Sequence, residues 1–396
     1  MFDSKVKRCL YYIAFLILLV GFAMGIAKVV VTMFDSAKDN NSTERTAPQQ
    51  DTLAVEDRLA VEDRLAVEAT TATAHEEYNS AYYWRTVFRL DSTERQFLKT
   101  HNVERLYIRM FDVVENNLLG DDALRVEYLV PNATIIFKDS VPVSHIVPTV
   151  YITTDALRDM HQESSIRFWA DKILTRVMNM CSYNGIRGKV EEIQLDCDWT
   201  QSTQSNFFYL CEAMKNIMEQ GSDTKGMKLS STIRLHQLSQ SPPPVDRGVL
   251  MVYNTGSFLN PDTKNSILSI NDVRPYLSAL KTYPLHLDFA YPIYRWGLVY
   301  RNDHFEGLLR DTDMSSLRTK ELKSGRHMVL QDGYIGGKKV MKYDIIRIEN
   351  SDYETITTVK NAIDKIVSKD HSNILYHLSS ENIERYKKDE INEMYK

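Results

Sequence analysis

The sequence predicts an α/β protein of the (β/α)8, TIM-barrel type, preceded by a membrane-spanning helix and a tether. Three observations lead there. From about Tyr78 onward, eight short apolar runs alternate with polar stretches. Several of the segments between them place apolar residues at helical spacing. The C-terminal ends of the runs collect acids, amides and aromatic rings, and that is where such barrels hold their reactive groups. A doubly wound open sheet is the alternative, but no glycine-rich phosphate loop follows the first run.

The predicted strands are 105–112 (RLYIRMFD), 133–138 (ATIIFK), 146–153 (IVPTVYIT), 190–198 (VEEIQLDCD), 228–235 (KLSSTIRL), 249–254 (VLMVYN), 285–291 (LHLDFAY) and 344–349 (DIIRIE). Helices are expected over 165–180, 207–218, 273–280 and 351–367. In the first of these, Ile166, Phe168, Ile173, Leu174, Val177 and Met178 recur at helical spacing. The link from the fifth run to the sixth contains Pro242-Pro243-Pro244, which leaves little room for a helix. An insertion over 299–342, with Gly333, Gly336 and Gly337, separates the seventh and eighth runs and suits a hairpin over the barrel mouth.

Residues 1–35 form the predicted anchor. Lys5, Lys7 and Arg8 precede an uncharged apolar run from Cys9 to Ala27, roughly 19 residues and long enough to cross a bilayer. The leading positive charges predict a cytoplasmic N-terminus. An inner-membrane anchor would then leave the rest of the chain facing the periplasm or the cell exterior. A cleavable signal peptide is the rival, since Ala23 and Ala27 suit a cleavage site. Residues 36–77 are a low-complexity tether, in which the unit LAVEDR starts at Leu53 and again at Leu59, with a partial copy at Leu65. A period of six drifts around a helix, so no coiled-coil seam is expected. Residues 78–396 are assigned to the barrel.

A net charge of −5 offers no basic footprint for nucleic acid. The chain has 22 tyrosines, whose flat faces suit sugar rings and protein cores alike. Cys181, Cys197 and Cys211 follow no CxxC or zinc spacing, and there is no HExxH. No metal or cofactor is expected. A GxSxG elbow is also missing.

The stretch from Ile193 to Thr200 is the most informative. Strand alternation puts Gln194, Asp196, Asp198 and Thr200 on one face. Two carboxylates one pleat apart on a buried strand are costly, because burial disfavours charge and like charges repel. Either a neighbouring cation neutralises them or they take part in chemistry. The other strand ends supply Asp112, Arg234, His236, Tyr253, Asn254, Asp288, Tyr291 and Glu349, with Trp199 and Trp296 close by. Acids among aromatic rings are what a glycan site needs.

The fourth run resembles the corresponding strand of the family 18 glycoside hydrolases, the chitinase-type barrels, whose motif is DxxDxDxE. Asp196 and Asp198 match its second and third acids. Met251-Val252-Tyr253-Asn254 resembles the family's MxYD, and Ala290-Tyr291-Pro292-Ile293-Tyr294 is loosely similar to its seventh strand. LYIRMFDV, LDCDWT, TIRLHQ, MVYN and YHLSSENI also resemble a group of bacterial membrane-anchored proteins with this barrel. In the family mechanism the Glu protonates the leaving oxygen, while the preceding Asp and the Tyr hold the substrate's acetamido group as nucleophile. Here Thr200 stands at the position of that Glu, and Ile193 at that of the first Asp. Thr has no proton to give at neutral pH. Catalysis would need another acid. Glu349 is the only Glu among the strand ends, and Asp112 and Asp288 are further candidates. Alternatively, Asp198 is the acid, kept protonated by Asp196.

The expected function is a membrane-tethered, glycoside-hydrolase-like barrel that acts on or binds a glycan. Its catalytic candidates are Asp196, Asp198 and Glu349. Its substrate-binding candidates are Asp112, Trp199, Arg234, Tyr253, Asn254, Asp288, Tyr291 and Trp296. The rivals are a glycan-binding module without catalysis, as in chitinase-like lectins, and an envelope scaffold.

Overall fold

Eight parallel strands pair in sequence and close on themselves. They are Asn79–Tyr83 (β1), Val103–Glu115 (β2), His145–Ile152 (β3), Glu192–Cys197 (β4), Lys228–Arg234 (β5), Arg247–Met251 (β6), Leu287–Pro292 (β7) and Asn373–Tyr376 (β8). The ring shuts where Ser80 and Ala81 of β1 face Ile374 and Leu375 of β8. The computed structural model describes residues 78–396 except 116–128, 161, 311, 324 and 369. The expected anchor and tether therefore lie outside the described residues. Among the described residues, no helix is long and apolar enough to cross a membrane.

The closed barrel is the one the sequence predicts, but two of the eight expected strands are corrected. The 133–138 run yields only Ile136–Phe137, which pairs with Val87–Phe88 outside the barrel. The 344–349 run becomes Ile345–Asn350 of an antiparallel sheet. In their place stand β1 and β8. These are five and four residues long, at the short end for reading alternation. Because one strand is missed before β2 and one false strand follows it, the fourth, sixth and seventh strands keep their expected positions.

Glu163–Tyr183 and Gln204–Gln220 cover β3–β5, and Tyr353–Asp364 precedes β8. Ile166, Ile173, Leu174 and Val177 are buried as the spacing implies, whereas Phe168 is 52% exposed. Asp352 starts the Tyr353 helix by accepting from the Thr355 amide at 2.8 Å. The helix expected over 273–280 is broken into Ile270–Val273, a 3-10 turn at Arg274–Tyr276 and Leu277–Lys281, with Pro275 at the break. After β5 only the 3-10 segment Leu235–Ser239 forms before the three prolines.

The insertion is larger than the expected hairpin. Arg295–Arg301, His304–Leu309, Thr319–Glu321, Arg326–Val329 and Ile345–Asn350 make a five-stranded antiparallel sheet. Gly333–Ile335 and Lys338–Val340 form a separate hairpin. Val299, Leu309, Val329, Ile335, Val340 and Ile346 give this insertion a core of its own.

Inside the barrel, alternation sends Tyr82, Tyr107, Val147, Val249, Met251, Ala290 and Ile374 to the axis. Gln194 sits at mid-height. Its Oε1 accepts from Tyr82 Oη at 2.8 Å and from Thr149 Oγ1 at 3.3 Å. At the N-terminal end Arg247 pairs with Glu192 and, at 3.3 Å, with Asp288. These contacts occupy the axis beneath the C-terminal mouth, the end at which such barrels carry their sites.

Candidate functional site at the barrel mouth

Asp196 points inward from the end of β4 and is buried. Its Oδ1 accepts from Thr232 Oγ1 at 2.6 Å and from Arg234 Nη2 at 2.9 Å. Arg234, the last residue of β5, also donates from Nε to Asp198. Asp198 lies just past β4, and its side chain is 48% exposed. One guanidinium thus bridges both acids of the motif. Burial pushes the Asp196 carboxyl up, against the pull of Arg234, with Asp198 adding to the rise. Burial also opposes the charge on Arg234, but Asp196 and Asp198 outweigh it and hold the guanidinium protonated. Tyr151 of β3 faces Asp196 in register. Burial first, then Asp198 and Asp196, push its phenol up to about 12.

Thr200 does not reach into this group. It opens the turn before the Gln204 helix, with its amide donating to Thr203 Oγ1 at 3.0 Å and its hydroxyl 3.0 Å from Ser202 Oγ. The side chain is exposed and neutral.

An arc of rings lines the other side. Tyr253, just past β6, stacks on Tyr376 at the end of β8, with centroids 4.5 Å apart. Tyr376 meets Trp84 at 5.8 Å, and Trp84 meets Tyr82 at 5.9 Å. In the other direction Tyr253 meets Tyr294 at 6.1 Å, and Tyr294 meets Trp296 at 5.4 Å. Asn254 takes a left-handed φ of 54°, which Asn tolerates, and its Oδ1 accepts from Tyr294 Oη at 2.8 Å. Asp112 near the end of β2 is chelated by Arg109, with Nε at 2.7 Å, and Arg109 lies over the Trp84 ring at 5.4 Å.

Asp196, Asp198, Arg234, Tyr253 and Asn254 therefore share the mouth, with Asp112 bordering it beside Trp84. Four expected positions are corrected. Glu349 ends no barrel strand. It lies in the insertion sheet, 2% exposed, held by Arg347 Nε at 2.8 Å, Trp296 Nε1 at 2.7 Å and Ser266 Oγ at 2.5 Å. Asp288 is the second residue of β7, not its last, so it closes the opposite end of the barrel with Arg247. Tyr291 faces outward into the core between strands and helices, as alternation from Phe289 requires. Trp199 is fully buried against Phe207 and Phe208. Trp296 borders the arc through Tyr294, but its indole N–H is spent on Glu349. The sequence reading missed Trp84, Tyr82 and Tyr376, all carried by or next to the two strands it did not recognise.

Among the described residues, no cluster of three or more His, Cys, Asp or Glu could hold a metal ion. Cys181, Cys197 and Cys211 are free and buried.

The fold and site define a closed parallel barrel with an acidic and aromatic mouth. No protein-family model matches the chain, and no curated protein sequence matches it. Among solved structures it is distantly similar to the spore cortex-lytic enzyme SleL of Bacillus cereus, at 12% identity over 81% of this chain and 75% of that chain, with a TM-score of 0.47. It is similar to a chitinase from Chromobacterium violaceum at 9% identity, 81% of this chain, 99% of that chain and TM-score 0.47. It is also similar to a chitinase-like agglutinin from Robinia pseudoacacia at 10% identity, 80% of this chain, 99% of that chain and TM-score 0.44. Similarity at this level assigns no activity to the chain.

Proposed function

We propose that the barrel mouth binds a glycan without cleaving it. One observation carries this reading: a single guanidinium, that of Arg234, bridges Asp196 and Asp198, while an uncharged Thr200 falls where the resembled motif has its proton donor. A general acid needs a proton to give at working pH. The pull of Arg234 favours the ionised form of Asp196, against the rise that burial imposes. Trp84, Tyr376 and Tyr253, the half-buried rings of the arc, supply flat apolar faces for sugar rings, and Asp198 supplies a half-exposed hydrogen-bond acceptor. The chain is proposed to be anchored in the inner membrane by residues 1–35 and tethered by 36–77, with the barrel facing the periplasm or the cell exterior.

A hydrolase is the second reading. The rise that burial imposes on Asp196 favours it, since a carboxyl pushed up holds a proton longer. In that reading Asp198 is the acid or stabiliser, Asp196 tunes it, and Tyr253 and Asn254 position the sugar. Screening the chain on a glycan array, then assaying each bound glycan for product, separates the two. Binding without product supports the first. Turnover that Asp198→Asn abolishes supports the second. No bound glycan at all contradicts both and favours a scaffold.

A further inference from the structure

The insertion carries a surface that the glycan reading does not use. Around its hairpin, Leu330, Tyr334, Lys339, Met341, Lys342 and Tyr343 are all exposed, Tyr334 and Tyr343 at 64% and Met341 at 40%. Backbone pairing brings several of them together. Tyr334 and Lys339 are cross-strand partners, and the Lys342 amide donates at 2.8 Å to Asp332 Oδ1, two residues before Tyr334. The Lys342 ammonium lies 4.9 Å over the Tyr343 ring. The hairpin is anchored beneath by Ile335 and Val340, buried in the insertion core, so the exposed rings are held by a folded element.

The charge of this region runs against that of the molecule. Between 318 and 343 there are seven Lys or Arg and two acids, Glu321 and Asp332, in a chain of net charge −5. Tyrosines beside lysines, with Met and Leu among them, are the side chains that settle at a bilayer interface. The rings sit at headgroup depth while the ammonium groups meet lipid phosphates. We propose that this hairpin docks on an anionic lipid surface and fixes the orientation of the barrel to its membrane. The proposal rests in part on the tethered-chain reading, and its test keeps the two apart.

The full chain is mixed with vesicles of phosphatidylcholine alone or of phosphatidylcholine with phosphatidylglycerol. Lysine labelling by an amine-reactive reagent is then read residue by residue. Two lysines at an anionic surface raise occupancy about thirtyfold, so labelling of Lys339 and Lys342 falls in the anionic vesicles, while exposed Lys225 stays constant. Lys339→Glu with Lys342→Glu, in a chain of unchanged melting temperature, removes the protection of the insertion's other exposed lysines, Lys320 and Lys323. Flotation with the neutral vesicles tests the anchor separately: a chain that stays unfloated there, yet shows the protection with anionic lipid, loses the anchor and keeps the docking. Equal labelling in both vesicles overturns the docking. So does equal protection by a soluble uronic-acid polymer, or protection that follows protein concentration and not lipid, which would indicate a second copy.

Discussion

Arg234 holds Asp196 and Asp198 with one guanidinium, Nη2 on the buried acid and Nε on the half-exposed one. The two carboxylates that stand out in the sequence are thus the flanks of a single cation. One guanidinium offsets at most one of the two charges, and the half-exposed surface of Asp198 is open to hydrogen bonds from a ligand.

Removing Arg234 should expose the cost of Asp196. Arg234→Ala leaves a buried carboxylate without its cation, a loss of about 3 kcal/mol by analogy with broken buried pairs. The folded-state pKa of Asp196 is already raised by burial. Such a group contributes stability that is present below the unfolded pKa and is lost as pH rises through the folded one. Without Arg234 that pKa rises further. The variant should therefore lie closest to the wild type in acid and fall away towards neutral pH, and Asp196→Asn in the same chain should flatten the difference. Chemical denaturation across pH measures both.

Glu349 should prove structural. It pairs with Arg347, which is fully buried. Glu349→Gln should cost about 3 kcal/mol or more of stability, with the glycan affinity of the folded fraction unchanged. A change in affinity with stability intact, read by calorimetry, would return Glu349 to the site.

The ring arc should carry the affinity. Trp84→Ala and Tyr376→Ala should each weaken glycan binding by about tenfold or more, as removing a central aromatic anchor does. Trp199→Phe should leave binding unchanged, because Trp199 is sealed under the Gln204 helix against Phe207 and Phe208.

His377, next to the mouth, should set an acid limit. Burial pulls its pKa down to about 4. A depressed His stays neutral in the fold while the unfolded chain takes up a proton, so its contribution to stability is lost as pH falls from about 6.5 towards about 4. The melting temperature should drop across that window, and less so in His377→Gln.

Much of this architecture was legible because two kinds of pattern survive in sequence. Strands such as Glu192–Cys197 and Lys228–Arg234 are buried on both faces and alternate, with Ile193 and Leu195 opposite in facing to Gln194 and Asp196, and Leu229 and Ile233 to Ser230, Thr232 and Arg234. Their acids and cation could be assigned to one face by alternation alone. What alternation cannot give is which strands are neighbours. Asp196 and Arg234 meet because β4 and β5 pair, and Asp288 meets Arg247 because β6 and β7 do. The insertion strand Ile345–Asn350 has the same local composition as a barrel strand, so only its antiparallel pairing with Arg295–Arg301 distinguishes it. Trp84 and Tyr376 stayed hidden because they sit at or just past the ends of Asn79–Tyr83 and Asn373–Tyr376, two short strands whose place in the ring is set by pairing with each other and with their neighbours.

The most direct test is reducing-end release from the best-bound glycan, followed over a day alongside calorimetric binding of the same glycan. The account predicts a saturable heat of binding that Trp84→Ala weakens, with no new reducing ends above a blank. Steady release of product by the wild type, lost in Asp198→Asn, would contradict it.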